Sequence, residues 1–415
     1  MNAILISFNL LYIFYNFMFN NFWFKYFFHS IHLLNQLYIL IFKFVKMSDP
    51  FDKNIPIFLY TDALAETEKK KLELNKENNN PIVIKLLKQV VNDNNYTDNG
   101  LVNTFAVFKS INDLFFLIYS NDKNNLVSYD LINLNVIIQI SEPHEKKITN
   151  ISHCLDKNNH RDIIMSISSD DNNLKLWDAS NWQCIINIKN VNQDGILFSG
   201  SFLENKNQNL IITSNLNWNN NPEPIKIFDF NANKIKEIKN SGESTIFIDS
   251  YYDHNSSKNY ILASYKDYVK SYDYDNNKLY QKYCDEDMNK TFENPNPSHA
   301  NIIIIDDDNI IKLIESCSDF YIRIWNFHSG LLLIKTQACR GLNHICLFNN
   351  NYVVFGAVFN LLNIKNGKIL DILKKDSNKS QKDVIDIKKI TIPKYGECFI
   401  TKGYNDDINL WVIEK

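Results

Sequence analysis

The chain has 415 residues, 45% hydrophobic and 22% charged, with a formal net charge of -3 and only three arginines, Arg161, Arg323 and Arg340. That balance argues against nucleic-acid binding through a basic face, which needs clustered cations. Seven cysteines, an odd number with no Cys-x-x-Cys pair, argue against a disulfide framework and for reduced thiols in the cytoplasm.

In chain order, the first element is a hydrophobic segment, residues 1–46. From Ala3 to Phe24 it has 22 residues without a charge, and no acid occurs before Asp49. That length permits a membrane span. The stretch beginning at Met47, "MSDPFDKNIP", reads instead like the natural start of a soluble protein, which would make residues 1–46 a mis-assigned leader. If they are retained, the chain is expected to be membrane-anchored. Residues 47–80 are charged and helix-permissive, a tether. The β-branched run 81–89 then predicts a strand with no local partner.

From there the sequence repeats. Seven short apolar runs end in a bulky side chain followed by an acid, an amide or once a valine: Tyr129-Asp130, Trp177-Asp178, Phe228-Asp229, Tyr272-Asp273, Trp325-Asn326, Leu362-Asn363 and Trp411-Val412. The intervals are 48, 51, 44, 53, 37 and 49 residues. A period of this size suits a four-stranded propeller blade, which buries its faces only against neighbouring blades. Innermost strands are predicted at 101–108, 148–155, 196–203, 245–252, 301–306, 344–349 and 384–392. The seventh unit contains three such runs, so its fourth strand is expected to be 81–89, closing the ring and removing an exposed edge. The expected fold is therefore all-β: a seven-bladed β-propeller over 81–415, closed by an N-terminal strand and preceded by a hydrophobic segment. Asn-rich clusters at 122–125, 170–173 and 275–277 fall where turns are needed, and Asn tolerates the left-handed backbone.

The second unit, with His144, Ser169, Asp171 and Trp177, resembles the WD-repeat family, His144 standing 33 residues before Trp177. The fifth keeps His299, Asp319 and Trp325. The resemblance implies a buried hydrogen-bonded tetrad of His144, Ser169, Asp171 and Trp177, with His299, Asp319 and Trp325 as its counterpart. Other units depart from the pattern, having Tyr129, Phe228, Tyr272 or Leu362 in place of Trp and, in the first, third and fourth, no His.

No Gly-rich phosphate loop, nucleophile elbow or His-Glu-x-x-His occurs. Cys339, His344 and Cys346 match no common zinc spacing, so no metal and no cofactor is expected. The inner strands carry mainly Ile, Phe, Ser and Asn, with Asp249 and Asp386 as isolated acids; an enzyme is not expected, and a propeller enzyme is the disfavoured alternative. The resemblance implies instead a protein-interaction scaffold whose partners, proteins or peptides, bind the face bearing the blade-connecting loops. Trp218, in the loop 215–224, is the foremost candidate contact. By the same alignment Thr149, Ile151 and Asp170 of the second unit and Lys266 of the fourth lie on that face.

Overall fold

A computed structural model describes residues 83–91 and 104–414, except 122, 194, 205–207, 218–222, 240–243, 266–267, 287–297, 306–309, 318, 320, 339–344, 357–358, 372, 375–383 and 404–406. Residues 298–305, 371, 373–374 and 414 are described by their backbone alone. The hydrophobic segment 1–46 and the tether 47–80 lie outside the described residues, as do Trp218 and Lys266.

The described chain is a seven-bladed β-propeller. Six blades are four-stranded antiparallel sheets in simple up-and-down order, their innermost strands being Ala106–Lys109, Ile148–Asp156, Gly200–Glu204, Phe247–Asp253, Ser298–Ile305 and Ile345–Asn349. The third prediction began too early. Ile196 makes only an isolated bridge to Leu216, and continuous pairing starts at Gly200.

The seventh blade is built from both ends of the body. Val384–Ile392, Gly396–Gly403 and Ile408–Glu414 form its first three strands, and Val83–Val91 pairs antiparallel with the third, Ile84 opposite Ile413. A short strand, Leu373–Lys374, adds parallel to Val83 and Ile84 and covers part of the outer edge. Unpaired edge amides are a liability, so this arrangement both closes the ring and shortens its exposed edge.

Seven apolar clusters hold the ring, and each lies between two consecutive blades. The marker side chain of every blade packs toward the blade before it: Trp177 with Phe108 and Ile118, Phe228 with Met165 and Leu176, Tyr272 with Ile212 and Ile227, Trp325 with Leu262 and Tyr283, Leu362 with Ile314 and Ile324, Trp411 with Phe359 and Leu361. Tyr129 completes the circle against Ile400 and Leu410 of blade seven. Any large apolar side chain can do this packing, which is why Leu362 serves where other blades have aromatics. Ile84 of the closing strand is fully buried in the cluster between blades six and seven.

The second member of each marker pair has a separate task. In blades one to six its side-chain oxygen accepts backbone amides of the hairpin leading to the outer strand. Asp130 Oδ1 takes Ile132 N and Asn133 N at 2.7 and 3.0 Å, Asp178 Oδ1 takes Ser180 N at 2.9 Å, and Asn326 Oδ1 takes His328 N and Ser329 N at 3.1 and 2.9 Å. These are Asx turns, which supply by side chain the bond that a backbone carbonyl would otherwise make. In blade seven the next strand in the sheet is Val83–Val91, so no hairpin leaves the third strand and Val412 has no turn to cap.

Candidate functional site

The buried polar network of blade two is built on a strand pairing that sets Ile164 opposite Trp177. Side chains two residues apart share a face of a strand, so Ser166 stands beside the indole. Trp177 Nε1 donates to Ser166 Oγ at 2.9 Å, Ser166 Oγ and His144 Nε2 are 2.8 Å apart, and His144 Nδ1 faces Asp171 Oδ2 at 3.5 Å. The indole donates to the hydroxyl and the hydroxyl to Nε2, which turns Nδ1–H toward the carboxylate as an electrostatic contact without hydrogen-bond geometry. Burial pushes the Asp171 carboxyl up, but contacts with His144, Ser168 and the Asn173 amide outweigh it and leave it below its ordinary value. The hydroxyl in this network is Ser166, not the expected Ser169. Ser169 lies past the end of the second strand and bonds Thr149 Oγ1 at 2.6 Å instead.

The same strand position recurs in the other two tryptophan blades with different chemistry. Trp411 Nε1 donates to Thr401 Oγ1 at 2.9 Å, and Trp325 Nε1 to Glu315 Oε2 at 2.9 Å. In blade five Glu315 thus stands where blade two has Ser166. Asp319 belongs to Arg323, whose fully buried guanidinium bonds Asp319 through two nitrogens and Asp285 Oδ2 through Nε at 2.8 Å. A buried guanidinium has to be paired, and Asp319 and Asp285 supply that pairing. Burial acts against the Arg323 charge, yet the two carboxylates and nearby Glu315 raise its pKa above the ordinary value. The side chain of His299 lies outside the described residues.

On the loop-bearing face, asparagines tie one blade to the next. Asn124 and Asn172, both at positive φ (59° and 55°), occupy the turns between second and third strands. Asn124 accepts Ile148 N at 2.9 Å and donates to Lys146 O at 2.6 Å; Asn172 accepts Leu197 N at 3.1 Å and donates to Gly195 O at 3.3 Å and to Asn192 O. The positive φ fits the turn role read from the sequence, and the side chains reach beyond their own turns to the segment leading into the following blade. Of the candidate contacts here, Asp170 is exposed, but Thr149 and Ile151 are buried, 3% and 1% accessible. Thr149 is held by Ser169, and Ile151 packs in the cluster between blades one and two, so neither offers a side chain to a partner on that face.

The inner strands surround a cavity of about 480 Å3 on the propeller axis. Asp249 and Asp386 line it as read from the sequence, joined by Cys346, Lys388 and Lys389. Lys388 donates to the Phe105 carbonyl and stands 3.8 Å from Asp386, and Lys389 pairs with Glu397 at 2.7 Å. Burial pushes the Cys346 thiol up to about 12, leaving it protonated and a poor nucleophile. Cys339 and His344 lie outside the described residues. Among the described residues no group of three His, Cys, Asp or Glu side chains is placed to hold a metal ion.

The perimeter carries the feature that sequence reading missed. Leu279 and Tyr280 on the outer strand of blade four, and Leu331, Leu332 and Leu333 at the outer strand of blade five, are exposed, Leu331 at 65%. Tyr280 Oη bonds His328 Nδ1 at 2.8 Å, joining the two blades at this place. Gly330 completes the junction: its φ is +70°, and a Cβ there would lie 2.7 Å from the Gln281 side chain. Alternation along a strand does not report this patch, because "LLLIK" reads as readily as a buried strand.

Among the described residues no helix is long and apolar enough to cross a membrane. No protein-family model matches the chain, and no curated protein matches it.

Proposed function

We propose that the chain is a WD-repeat-type propeller that acts as a non-enzymatic scaffold for other proteins or peptides in the cytoplasm. The observation that carries this reading is the set of exposed apolar side chains on and beside the outer strands of blades four and five: Tyr280, Leu331, Leu332 and Leu333, with Leu279 on the side of blade four that faces blade three. Large apolar side chains left exposed on two neighbouring outer strands favour protein contact. Blades four and five are tied by the apolar cluster between them and by the Tyr280 and Tyr283 hydroxyl bonds, and a rigid frame lowers the ordering cost of association. The channel supports the non-enzymatic reading: its thiol is protonated, and its lysines are engaged with Asp386 and Glu397.

The test is affinity capture from cell extract by the full chain, compared with a Leu331→Lys, Leu333→Lys variant and with Trp218→Ala in the loop 215–224. Partners are expected to be lost from the lysine variant with an unchanged urea midpoint, and from Trp218→Ala where they engage the loop face. Wild-type recovery of every partner by both variants rejects the scaffold reading. A second reading, a membrane-tethered scaffold, is favoured by the uncharged run Ala3 to Phe24. N-terminal sequencing of the cellular protein decides it, because a chain beginning at Met47 carries no such anchor.

A further inference from the structure

The seam between blades three and four holds a perimeter feature set apart from the leucines of blade five. In blade four the pairing of the third strand, Val269–Asp273, with the outer strand, Lys278–Tyr283, sets Leu279 opposite Tyr272 and Lys282 opposite Lys270. Residues directly opposite one another share a face of the sheet, and Tyr272 packs toward blade three with Ile212 and Ile227, so all four stand on that side. There the two blades form a recess of about 340 Å3. Ile238 and Tyr272, both buried, and Leu279, 53% exposed, give it apolar walls.

The chain as a whole carries slightly more acids than bases, 47 against 44, but the seam reverses that balance. Lys239 and Lys270 line the recess, Lys282 stands opposite Lys270, and Lys236 reaches across from blade three to the Tyr274 carbonyl. The acids here are Glu237, which also lines the recess and pairs with Lys234 at 2.5 Å, and the exposed Asp275 of the adjoining hairpin. Among the described residues no carboxylate stands within ion-pair distance of Lys236, Lys239 or Lys282. Lys282 Nζ lies instead 4.0 Å from the Tyr268 ring centroid, and Lys236 Nζ 4.2 Å from that of Tyr274. An aromatic face compensates a cation only in part, so these ammoniums keep an attraction for an anion. An apolar recess flanked by such cations fits a segment that brings both an apolar side chain and carboxylates. A lipid surface is a poor match, because it is flat and cannot enter a recess between blades. Single-stranded nucleic acid calls for exposed rings on which bases stack, and Tyr272 is buried.

We propose that the seam between blades three and four docks an extended acidic segment of a partner protein, with an apolar side chain seated against Leu279 and Tyr272 and carboxylates facing Lys236, Lys239 and Lys282. This rests on the scaffold reading and gives it a partner chemistry at a place other than Leu331, Leu332 and Leu333.

The probe is a set of fluorescein-labelled peptides, Glu-Asp-Glu-X-Glu-Asp-Glu with Leu, Ile, Met, Phe or Ala at X, read by anisotropy on the full chain at low salt, where surface charges are least screened. At least one peptide with a large apolar X is expected to bind. The Ala peptide should be weaker by roughly tenfold or more, because less apolar surface leaves water. The same peptides with Gln and Asn in place of the acids should not bind. Lys239→Glu with Lys282→Glu, both at exposed positions, is expected to weaken binding by roughly tenfold or more, whereas Leu331→Lys with Leu333→Lys leaves it unchanged. Absence of binding by every peptide, equal binding of the Ala or amide peptides, or unchanged affinity in the charge-reversed chain overturns the proposal. The Ala and amide comparisons need only the wild-type chain, so a variant that fails to fold does not shield the idea. Binding of phosphatidylserine vesicles with none of the peptides overturns the assignment to a peptide. Partner capture through Leu331 and Leu333 is a separate measurement, so failure at the seam leaves the scaffold reading to its own test.

Discussion

Replacing Ser166 with Ala should unsettle blade two far more than replacing Ser169, although the two serines stand three residues apart and both are buried. Ser166 Oγ is the acceptor for Trp177 Nε1 at 2.9 Å and the partner of His144 Nε2 at 2.8 Å. Trp177 and His144 are themselves buried, 5% and 3% exposed, so water cannot replace the lost hydroxyl. Each buried polar group left without its partner costs about 1–3 kcal/mol, so two orphaned groups give roughly 2–6 kcal/mol for Ser166→Ala. Ser169→Ala removes the 2.6 Å bond from Thr149, but Thr149 Oγ1 retains the Ile167 carbonyl at 3.4 Å. One partly replaced bond costs about 1 kcal/mol. The assay is urea unfolding followed by tryptophan fluorescence and circular dichroism, with the Ser166→Ala, Trp177→Phe double variant closing a cycle. Trp177→Phe removes the indole donor, so Ser166→Ala should cost less in that background, with a coupling of about 1 kcal/mol or more. Equal midpoints for Ser166→Ala and Ser169→Ala, or strict additivity in the cycle, would refute the network as drawn.

Ile84→Asp places a charge in the cluster that holds Trp411 and Phe399 against the closing strand, a cost on the order of 4 kcal/mol; blade-seven amides should lose hydrogen-exchange protection first, and uniform loss around the ring would contradict closure as the weak point. At Asn172, Gly restores the positive φ but not the bonds to Gly195 and Leu197, so stability should fall in the order Asn, Gly, Ala, with about 1–2 kcal/mol for Ala's strain alone; a Gly variant as stable as wild type means the interblade bonds contribute nothing. Burial pushes the Asp178 carboxyl up, yet the bonds from Ser180 and Arg161 outweigh it, leaving it below its ordinary value of 3.8. A depressed carboxyl stabilises above its unfolded pKa and loses that contribution as pH falls through the folded one, so Asp178→Asn should lower stability at neutral pH and flatten the acid loss below about pH 4. Asp249 has the opposite sign: its raised carboxyl disfavours the folded state at neutral pH, so Asp249→Asn should be more stable there, an advantage that shrinks on acidification.

The marker pairs were legible in the sequence because both members act within their own blade or on the next apolar surface: a bulky side chain for the cluster, an oxygen for the hairpin. Even the exception was legible as an exception. Trp411-Val412 lacks the acid, and topology supplies the reason, since the fourth strand of that blade is Val83–Val91 and needs no hairpin. The closing strand could be foreseen by elimination, because the predicted run 81–89 had no other partner.

Which serine serves the indole was not legible. Ser166, Ser168 and Ser169 lie within four residues, and only the pairing of Ile164 with Trp177 selects the first. Nor could local reading assign Asp319, because its partner Arg323 also recruits Asp285 from 38 residues away. The exposed perimeter side chains and the axial cavity have the same character. Lys388 meets the Phe105 carbonyl across 283 residues, and Asp249 meets Ser201 across 48. Periodicity records what each blade demands of its own strands, so the sequence by itself determined that there are seven units and how each turn is made. What faces the axis, and what remains exposed between neighbouring blades, is decided only when distant strands are brought to a common ring, because those contacts have no fixed spacing along the chain.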